Sequence, residues 1–281
     1  MPTLVGMSLR DPWSDLLACL NLAPAAPAGP TDGRAVWTGV NQQLGYHRLF
    51  GGQLLAQTVR AAGLTVPGKS VKSLHVLFAR PGDTAEPVRY EVERHHEGST
   101  FASVSVTARQ SHGAVATATV SLHVPEAGPD RQSTDPVPAV PGPERRVELE
   151  PIPWETRSTL DLDTVKTEEP EYAFWMRTPP ADPALAQALT AYATDLTPIG
   201  TALRPFEAVT QHDAGTVFTS AVTAHSVWFH RAFRTDDAWL FVRQHSPLVA
   251  HGRCFGRGDV LAEDGSLVAS FAQEALLRFT A

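Results

Sequence analysis

Two stretches of the chain have the same order of predicted elements, a helix followed by alternating strands. In the first half, residues 53–62 (QLLAQTVRAA) are rich in helix formers, and Gly63 is the expected C-cap of this helix. Runs in which apolar and polar residues alternate follow at 88–93, 103–108 and 114–124. His112-Gly113 is the expected hairpin turn before the last of them. This period of two predicts a helix followed by about four long antiparallel strands.

The second half repeats that order. Asp182-Pro183 provides an N-cap residue followed by a proline at the first helical position, and apolar residues keep helical spacing over 185–199. Strand-like runs follow at 216–229, 239–244, 252–261 and 266–279. Asp264-Gly265 predicts the hairpin turn before the last run. The second half is therefore also predicted to be a helix followed by strands.

A proline-rich segment separates the two halves. Eight prolines fall within residues 125–153, and each of them fixes φ and removes a backbone donor. We therefore predict an N-terminal repeat over 1–125, a linker over 126–170 and a C-terminal repeat over 171–281. The halves align weakly at 50–53 with 192–195, at 78–81 with 229–232, and at 115–117 with 268–270. The repeated order predicts an α+β double hotdog fold in which the two sheets join into one.

Composition narrows the class of protein. The 281 residues are 43% apolar and 19% charged, so the chain can bury a sizeable core. A net charge of −7 argues against nucleic acid or an anionic membrane as the main partner. Two cysteines, Cys19 and Cys254, are too few for a disulfide framework or a thiolate metal site. With no signal peptide and no spanning apolar run, a cytoplasmic location is expected.

Three polar residues have apolar neighbours and are candidates for chemistry. Asp195 falls on the apolar stripe of the second helix, and the missing N–H of Pro198 predicts a kinked or restarted helix there. The carboxylate is either a reaction site or the cap of the restarted helix. Gln273 shares a strand face with apolar residues, where it either positions water or a carbonyl, or bonds neighbouring backbone. Thr223 lies in mid-strand, where threonine is common for structural reasons alone.

Several motifs that would indicate other chemistry do not occur. His225 and His230 lack metal-ligand spacing with an acidic partner and are interpreted as structural or pocket-wall residues. The sequence contains no Gly-x-Ser-x-Gly, His-Glu-x-x-His, P-loop or Gly-x-Gly-x-x-Gly motif. We therefore expect no metal and no cofactor.

Along nearly its whole length the sequence resembles the acyl-CoA thioesterase II family of double hotdog enzymes. The resemblance is carried by segments 16–22 (LLACLNL), 50–53 (FGGQ), 75–83 (HVLFARPGD), 192–196 (YATDL), 225–231 (HSVWFHR) and 264–274. It implies a thioester hydrolase that converts acyl-CoA into a free fatty acid and CoA. It also implies a homo-oligomer, a dimer or a tetramer. The net charge, by itself, predicts no nucleic-acid or membrane partner.

The resemblance implies a catalytic trio of Asp, Ser or Thr, and Gln. Asp195 and Gln273 fall on the family's positions, but the hydroxyl position falls on Val222, one residue from Thr223. A shift of one residue reverses the face of a strand side chain. Either Thr223 serves through a local bulge, or this chain lacks the hydroxyl.

The implied mechanism is direct attack by water. Asp195 would accept the proton, Gln273 and the hydroxyl would hold the water, and a backbone N–H near a helix start would stabilise the oxyanion. Arg253 and Arg257 match an arginine-rich strand of the family, where they would contact the phosphates of CoA or be ordinary surface residues.

Two other interpretations of the function stay open. Residues 195–200 (DLTPIG) resemble the Asp-x-Asn-Pro-Ile-His signature of hotdog enoyl-CoA hydratases, but Gly200 stands in place of the catalytic His and Thr197 in place of the Asn. Alternatively, the chain is an acyl-CoA-binding protein without catalytic activity. This interpretation is supported by Val222 at the hydroxyl position and by Ala224, where the family usually has an Asp.

Overall fold

The computed structural model describes residues 11–26, 34–45, 48–163, 167–236 and 238–280. The helices in these ranges are α1 (Pro12–Leu20), α2 (Gly51–Thr65), α3 (Ala186–Thr194) and α4 (Pro198–Leu203). The strands are β1 (Ala23–Pro24), β2 (Ala35–Gly39), β3 (Ser70–Phe78), β4 (Val88–Glu97), β5 (Phe101–Gln110), β6 (Gly113–His123), β7 (Arg146–Val147), β8 (Glu155–Arg157), β9 (Glu171–Arg177), β10 (Phe218–Phe229), β11 (Leu240–Ala250), β12 (Arg253–Ala262) and β13 (Leu267–Phe279).

The strands of the described residues form one continuous antiparallel sheet. Its order is β1-β2-β4-β5-β6-β3-β10-β13-β12-β11-β9-β8-β7, so β3 and β10 join the two halves at the centre. His75 pairs with Ser226 across this junction, and each lies three residues before the phenylalanines that the two halves share, Phe78 and Phe229. An approximate twofold axis therefore passes through the His75–Ser226 pair. The predicted α+β double hotdog fold, with its sheets joined into one, is confirmed.

Helix α2 is the most deeply buried element of the first half. The sheet covers it on one side and α3 packs along another, and eleven of its fifteen residues are buried. The helix continues through Gly63 to Thr65, so the expected C-cap at Gly63 is wrong. A glycine inside a helix costs about 1 kcal/mol relative to alanine. Burial of Ala61 and Ala62, directly before Gly63, outweighs that cost.

The second helical region is interrupted where the sequence predicts it. Helix α3 ends at Thr194 and α4 begins at Pro198, which confirms a restarted helix. Asp182 also acts as expected, because its carboxylate accepts a hydrogen bond from the Ala184 N–H at 2.9 Å, at the start of a 3-10 turn that leads into α3. The break leaves Asp195 outside both helices. None of the helices in the described ranges is long and apolar enough to span a membrane.

The proline-rich segment does more than connect the halves. It contributes β7 and β8, which extend the sheet beyond β9. Trp154 lies in the core, with its ring centroid 6.0 Å from that of Trp13 in α1 and 5.8 Å from that of Tyr192 in α3. The segment is therefore held against both halves. The boundaries at 125 and 171 stay predictions.

Two leucines on β3 test the assignment of the strand's faces. Leu74 is fully buried, whereas Leu77 is 61% exposed on the opposite face. We expect Leu74→Ala to lower the free energy of unfolding by about 2–5 kcal/mol, because it leaves a cavity in the core. Leu77→Ala should change it by less than about 0.5 kcal/mol. Urea unfolding of both variants measures this, and an equal loss at Leu77 would contradict the assignment of that face to solvent.

Candidate active site

The carboxylate of Asp195 lies at the N-terminus of α2, in the other half of the chain. Its side chain accepts a hydrogen bond from the Gly52 N–H, and the residue is only 4% exposed. The first N–H groups of a helix have no acceptor within it and carry partial positive charge. The approach requires glycine, since a Cβ on Gly51 would lie 2.6 Å from Asp195 Oδ2 and one on Gly52 would lie 2.4 Å from the Tyr192 carbonyl. The two glycines that follow Phe50 thus allow the start of α2 to approach the Asp195 carboxylate.

Gln273 reaches the same carboxylate from the sheet. It lies on the inward face of β13, between His225 of β10 and Gly256 of β12. Its Nε2 donates to Asp195 Oδ1 at 2.9 Å and to the Asp195 carbonyl oxygen at 2.9 Å. The structure therefore brings together two of the residues predicted from sequence, Asp195 and Gln273. Asp195 does not cap α4, whose N-cap residue is Thr197.

The oxygen end of the Gln273 amide has no partner in the part of the protein that the structure describes. Its Oε1 is buried and receives no hydrogen bond from the described residues. Buried polar atoms almost always have a partner, and leaving one without costs about 1–3 kcal/mol. An unused acceptor next to a buried carboxylate is suited to a small donor such as water.

Burial sets the protonation of Asp195. Removal from water raises its pKa to about 7, although the hydrogen bonds from Gln273 and from the Gly52 N–H oppose the rise. The carboxyl group consequently changes its charge near neutral pH. A base that titrates near the working pH is well matched to general-base catalysis.

His225 belongs to the same cluster, although its sequence pattern indicates a structural or pocket-wall residue. It is fully buried, and burial lowers its pKa to about 3, so the ring is neutral at physiological pH. Its Nδ1 lies 3.3 Å from Gln273 Nε2 and 3.7 Å from Asp195 Oδ1, and its Nε2 lies 3.1 Å from Thr194 Oγ1. The sequence carried one signal that His225 is buried. Strand alternation places it on the same face of β10 as Val227, which is fully buried.

Thr223 lies apart from this cluster. The pairing of β10 with β13 shifts between Val222 and Ala224, so Thr223 is the extra residue of a β-bulge. Its hydroxyl donates to the Glu274 carbonyl oxygen at 3.0 Å and lies 3.3 Å from Glu274 Oε1. Val222 instead pairs with Ala275, on the strand face that also carries Gln273. The bulge is present, but it does not bring the Thr223 hydroxyl to Asp195 and Gln273.

The two arginines also lie outside the cluster. Arg253 and Arg257 are exposed on β12. They lie on the strand face opposite to that of Gly256, which faces Pro198 in the interior. Arg253 Nη1 donates to Glu274 Oε2 at 2.9 Å. Both arginines are therefore on the sheet face opposite to Asp195.

The first half carries different residues at the corresponding positions. The alignment of the halves equates Gln53 with Asp195 and Val120 with Gln273. The Gln53 amide is fully used, since it accepts from the Gln42 N–H and donates to Asn41 and Gln57. The acid and the free amide oxygen occur together only in the second half of the described chain.

A cavity of about 750 Å³ lies elsewhere in the described structure. It opens between the C-terminal part of α2 and the residues that precede and begin α3. Neither Asp195 nor Gln273 lines it. We assign the candidate active site by its chemistry and not by the size of the opening.

Comparisons with known proteins agree with the double hotdog fold. The protein-family model of the acyl-CoA thioesterase C-terminal domain matches residues 120–277, and that of the N-terminal domain matches residues 41–123. The chain is 32% identical over 275 residues to acyl-CoA thioesterase 2 of Haemophilus influenzae, covering 87% of this chain and 93% of that protein. It is 30% identical over 264 residues to human acyl-coenzyme A thioesterase 8, covering 82% of this chain and 81% of that protein.

A solved structure is similar over almost the whole chain. The acyl-CoA thioesterase II of Mycobacterium marinum superposes with a TM-score of 0.74 and 29% sequence identity, covering 95% of this chain and 99% of that one. The matched sequence segments, the paired domains and the joined sheet lead to the same conclusion. The chain belongs to the acyl-CoA thioesterase II family, with an N-terminal and a C-terminal thioesterase domain in a double hotdog fold.

Proposed function

We propose that the chain hydrolyses acyl-CoA thioesters to a free carboxylic acid and CoA, by attack of a water molecule held between Asp195 and Gln273. One observation carries the proposal. A buried carboxylate with a pKa near neutrality lies next to a buried amide oxygen that has no donor among the described residues. Relatives named as acyl-CoA thioesterases support CoA thioesters as the substrate class.

The two acceptors fit the two hydrogens of a water molecule. One O–H donates to the Asp195 carboxylate and the other to Gln273 Oε1, which leaves a lone pair for the thioester carbonyl carbon. As the new C–O bond forms, Asp195 takes the proton. When the C–S bond breaks, the proton passes to the leaving sulfur, and CoA departs as the thiol. No covalent enzyme intermediate is needed.

The start of α2 supplies the remaining group. Charge develops on the carbonyl oxygen during attack, and fixed N–H donors stabilise it without reorganisation. The N–H groups of Gly51 and Gly52 point out of the helix start beside Asp195. Once Asp195 has taken the proton it is a weaker acceptor for the Gly52 N–H, which can then bind the oxyanion.

The other predictions made from the sequence are not part of this mechanism. Thr223 is left out of the mechanism, because its hydroxyl bonds Glu274. Contacts of Arg253 and Arg257 with CoA phosphates stay predictions, as do the cytoplasmic location and a dimeric or tetrameric state.

Asp195→Asn tests the general base. The variant keeps the shape of the side chain but cannot accept a proton, so we expect kcat to fall by about 10²–10⁴-fold. Release of free thiol from a panel of acyl-CoAs of graded chain length measures this. Asp182→Asn is the matched control, since it changes a capping aspartate at the entrance to α3 and should leave kcat unchanged. Activity of Asp195→Asn within tenfold of the wild type would contradict the proposed role.

The raised pKa of Asp195 predicts a pH profile. The base must be deprotonated, so kcat/KM should rise about tenfold per pH unit below pH 7 and level off above it. His225 is neutral throughout this range and adds no second limb. The profile is measured from pH 5 to 9 by loss of thioester ultraviolet absorbance. A midpoint below pH 5 would disagree with a buried carboxylate as the base.

A pair of substitutions on β10 tests whether the candidate site lacks a catalytic hydroxyl. Val222→Thr introduces a hydroxyl on the strand face of Gln273, and a further hydrogen bond to the water should raise kcat by about 2–10-fold. Thr223→Val should leave kcat within twofold. Steady-state kinetics of both variants decide the matter. Loss of activity in Thr223→Val alone would instead assign the catalytic hydroxyl to Thr223.

The wild-type assay separates the remaining alternatives. Binding of acyl-CoA without any release of thiol would support a binding protein without catalytic activity. Addition of water to crotonyl-CoA would support a hydratase. The hydratase signature lacks its catalytic His, since Gly200 occupies that position within α4.

A further inference from the structure

A chain of hydrogen bonds runs from the α3 backbone to Gln273. The Thr194 hydroxyl lies 3.0 Å from the Ala191 carbonyl oxygen and 3.1 Å from His225 Nε2. On the other side of the ring, His225 Nδ1 lies 3.3 Å from Gln273 Nε2. Thr194, His225 and Gln273 are all buried, so water does not compete for these contacts.

The carbonyl at the beginning of this chain fixes the direction of every bond. A carbonyl oxygen only accepts, so the single proton of the Thr194 hydroxyl points to Ala191. The hydroxyl must then accept from His225, which places the ring proton on Nε2 and leaves Nδ1 as an acceptor. Burial keeps the ring neutral, which leaves one proton to be placed. His225 Nδ1 can therefore interact favourably only with the NH₂ end of the Gln273 amide.

This polarity prevents the amide from turning over. In the observed orientation, Gln273 Nε2 faces three acceptors, which are Asp195 Oδ1, the Asp195 carbonyl oxygen and His225 Nδ1. A flipped amide would place Oε1 against all three lone pairs. The observed orientation is thus the one in which Oε1 stays free.

We propose that Thr194 and His225 are positioning residues for thioester hydrolysis, which hold the Gln273 amide so that its Oε1 faces the attacking water. The inference rests on the proposed function. Neither residue touches the reacting atoms. Thr194 fixes the tautomer of His225, and His225 in turn fixes the orientation of Gln273.

Thr194→Val is the direct test. Without the hydroxyl, an Nε2–H would lie buried without an acceptor, so the proton should move to Nδ1 and turn the Gln273 amide. We expect kcat to fall by about 10–100-fold, the loss typical of groups that orient a functional side chain, with KM within twofold. The imidazole ¹⁵N NMR spectrum should report the Nε2–H tautomer of His225 in the wild type and the Nδ1–H tautomer in the variant.

Two matched variants separate positioning from packing. Thr194→Ser keeps the hydroxyl and should retain both kcat within twofold and the Nε2–H tautomer. Thr190→Val removes a buried hydroxyl from the preceding turn of α3, where Oγ1 has no hydrogen-bond partner among the described residues. It should leave both readouts unchanged. If Thr194→Val does not fold, Thr194→Ala removes the same hydroxyl without adding a methyl group.

The pH profile gives a third readout that packing alone would not move. Turning the amide removes an N–H donor from the Asp195 carboxylate, so the acid limb of kcat/KM should shift to higher pH. The titratable side chains that face Asp195 from the adjoining elements are His225 and Tyr192, and burial keeps both neutral.

The result that would overturn the proposal is a Thr194→Val enzyme with unchanged kcat and an unchanged Nε2–H tautomer. An equal loss of kcat in Thr190→Val would overturn it too, because the cause would then be helix packing. The tautomer is read without turnover. A wild-type protein that has the Nε2–H tautomer but hydrolyses no thioester would therefore refute the proposed function while leaving the orientation of Gln273 established.

Discussion

The candidate site depends on one contact, a buried carboxylate against the start of a helix from the other half of the chain. Asp195 lies where α3 has ended, and the N–H of Gly52 at the beginning of α2 donates to it. Burying a charge is costly unless hydrogen bonds compensate for the lost water. The N-terminus of α2 and the amide of Gln273 supply part of that compensation. Their contribution leaves the carboxyl group with a pKa near neutrality, where it can act as a base.

This contact also makes the candidate site depend on both halves of the chain. The helix start that receives the carboxylate belongs to the first half, whereas the carboxylate and the amide belong to the second. The glycine pair at 51–52 allows the approach, since any Cβ there would collide with Asp195 or with the backbone of Tyr192. In this chain the candidate site is therefore divided between the two repeats.

The symmetry of the fold contrasts with the asymmetry of its chemistry. The twofold axis at the junction of β3 and β10 relates Gln53 to Asp195 and Val120 to Gln273. In the first half, the buried amide of Gln53 is saturated by partners within its own repeat and stabilises the core. In the second half, the amide of Gln273 keeps one acceptor free. The saturated amide of Gln53 therefore has no atom left for a ligand, whereas the oxygen of Gln273 can accept a hydrogen bond from one.

The pattern of apolar and polar residues predicted the buried face correctly in elements that have one face in the core. The period of two places Val88, Tyr90 and Val92 on the buried face of β4, and the missing donor of Pro198 divides the helix as predicted. The pattern failed at Gly63, where burial of neighbouring alanines keeps the helix going past a residue that often ends one. Local propensity is a small term, and tertiary burial exceeds it.

The sequence by itself determined the order of elements, the repeated fold, and the pairing of an acid with an amide in the second half. The order of elements and the repeated fold follow from periodicity, whereas the pairing of the acid with the amide is what the resemblance to the thioesterase family implies. Only the tertiary structure decided which way Thr223 points, since a β-bulge displaces it to Glu274 and leaves Val222 on the inner face. The orientation of Gln273 was likewise decided by contacts with residues distant in sequence, Asp195 and His225. The direction of a hydrogen bond depends on what lies at its other end, and that partner is fixed only when the chain has folded.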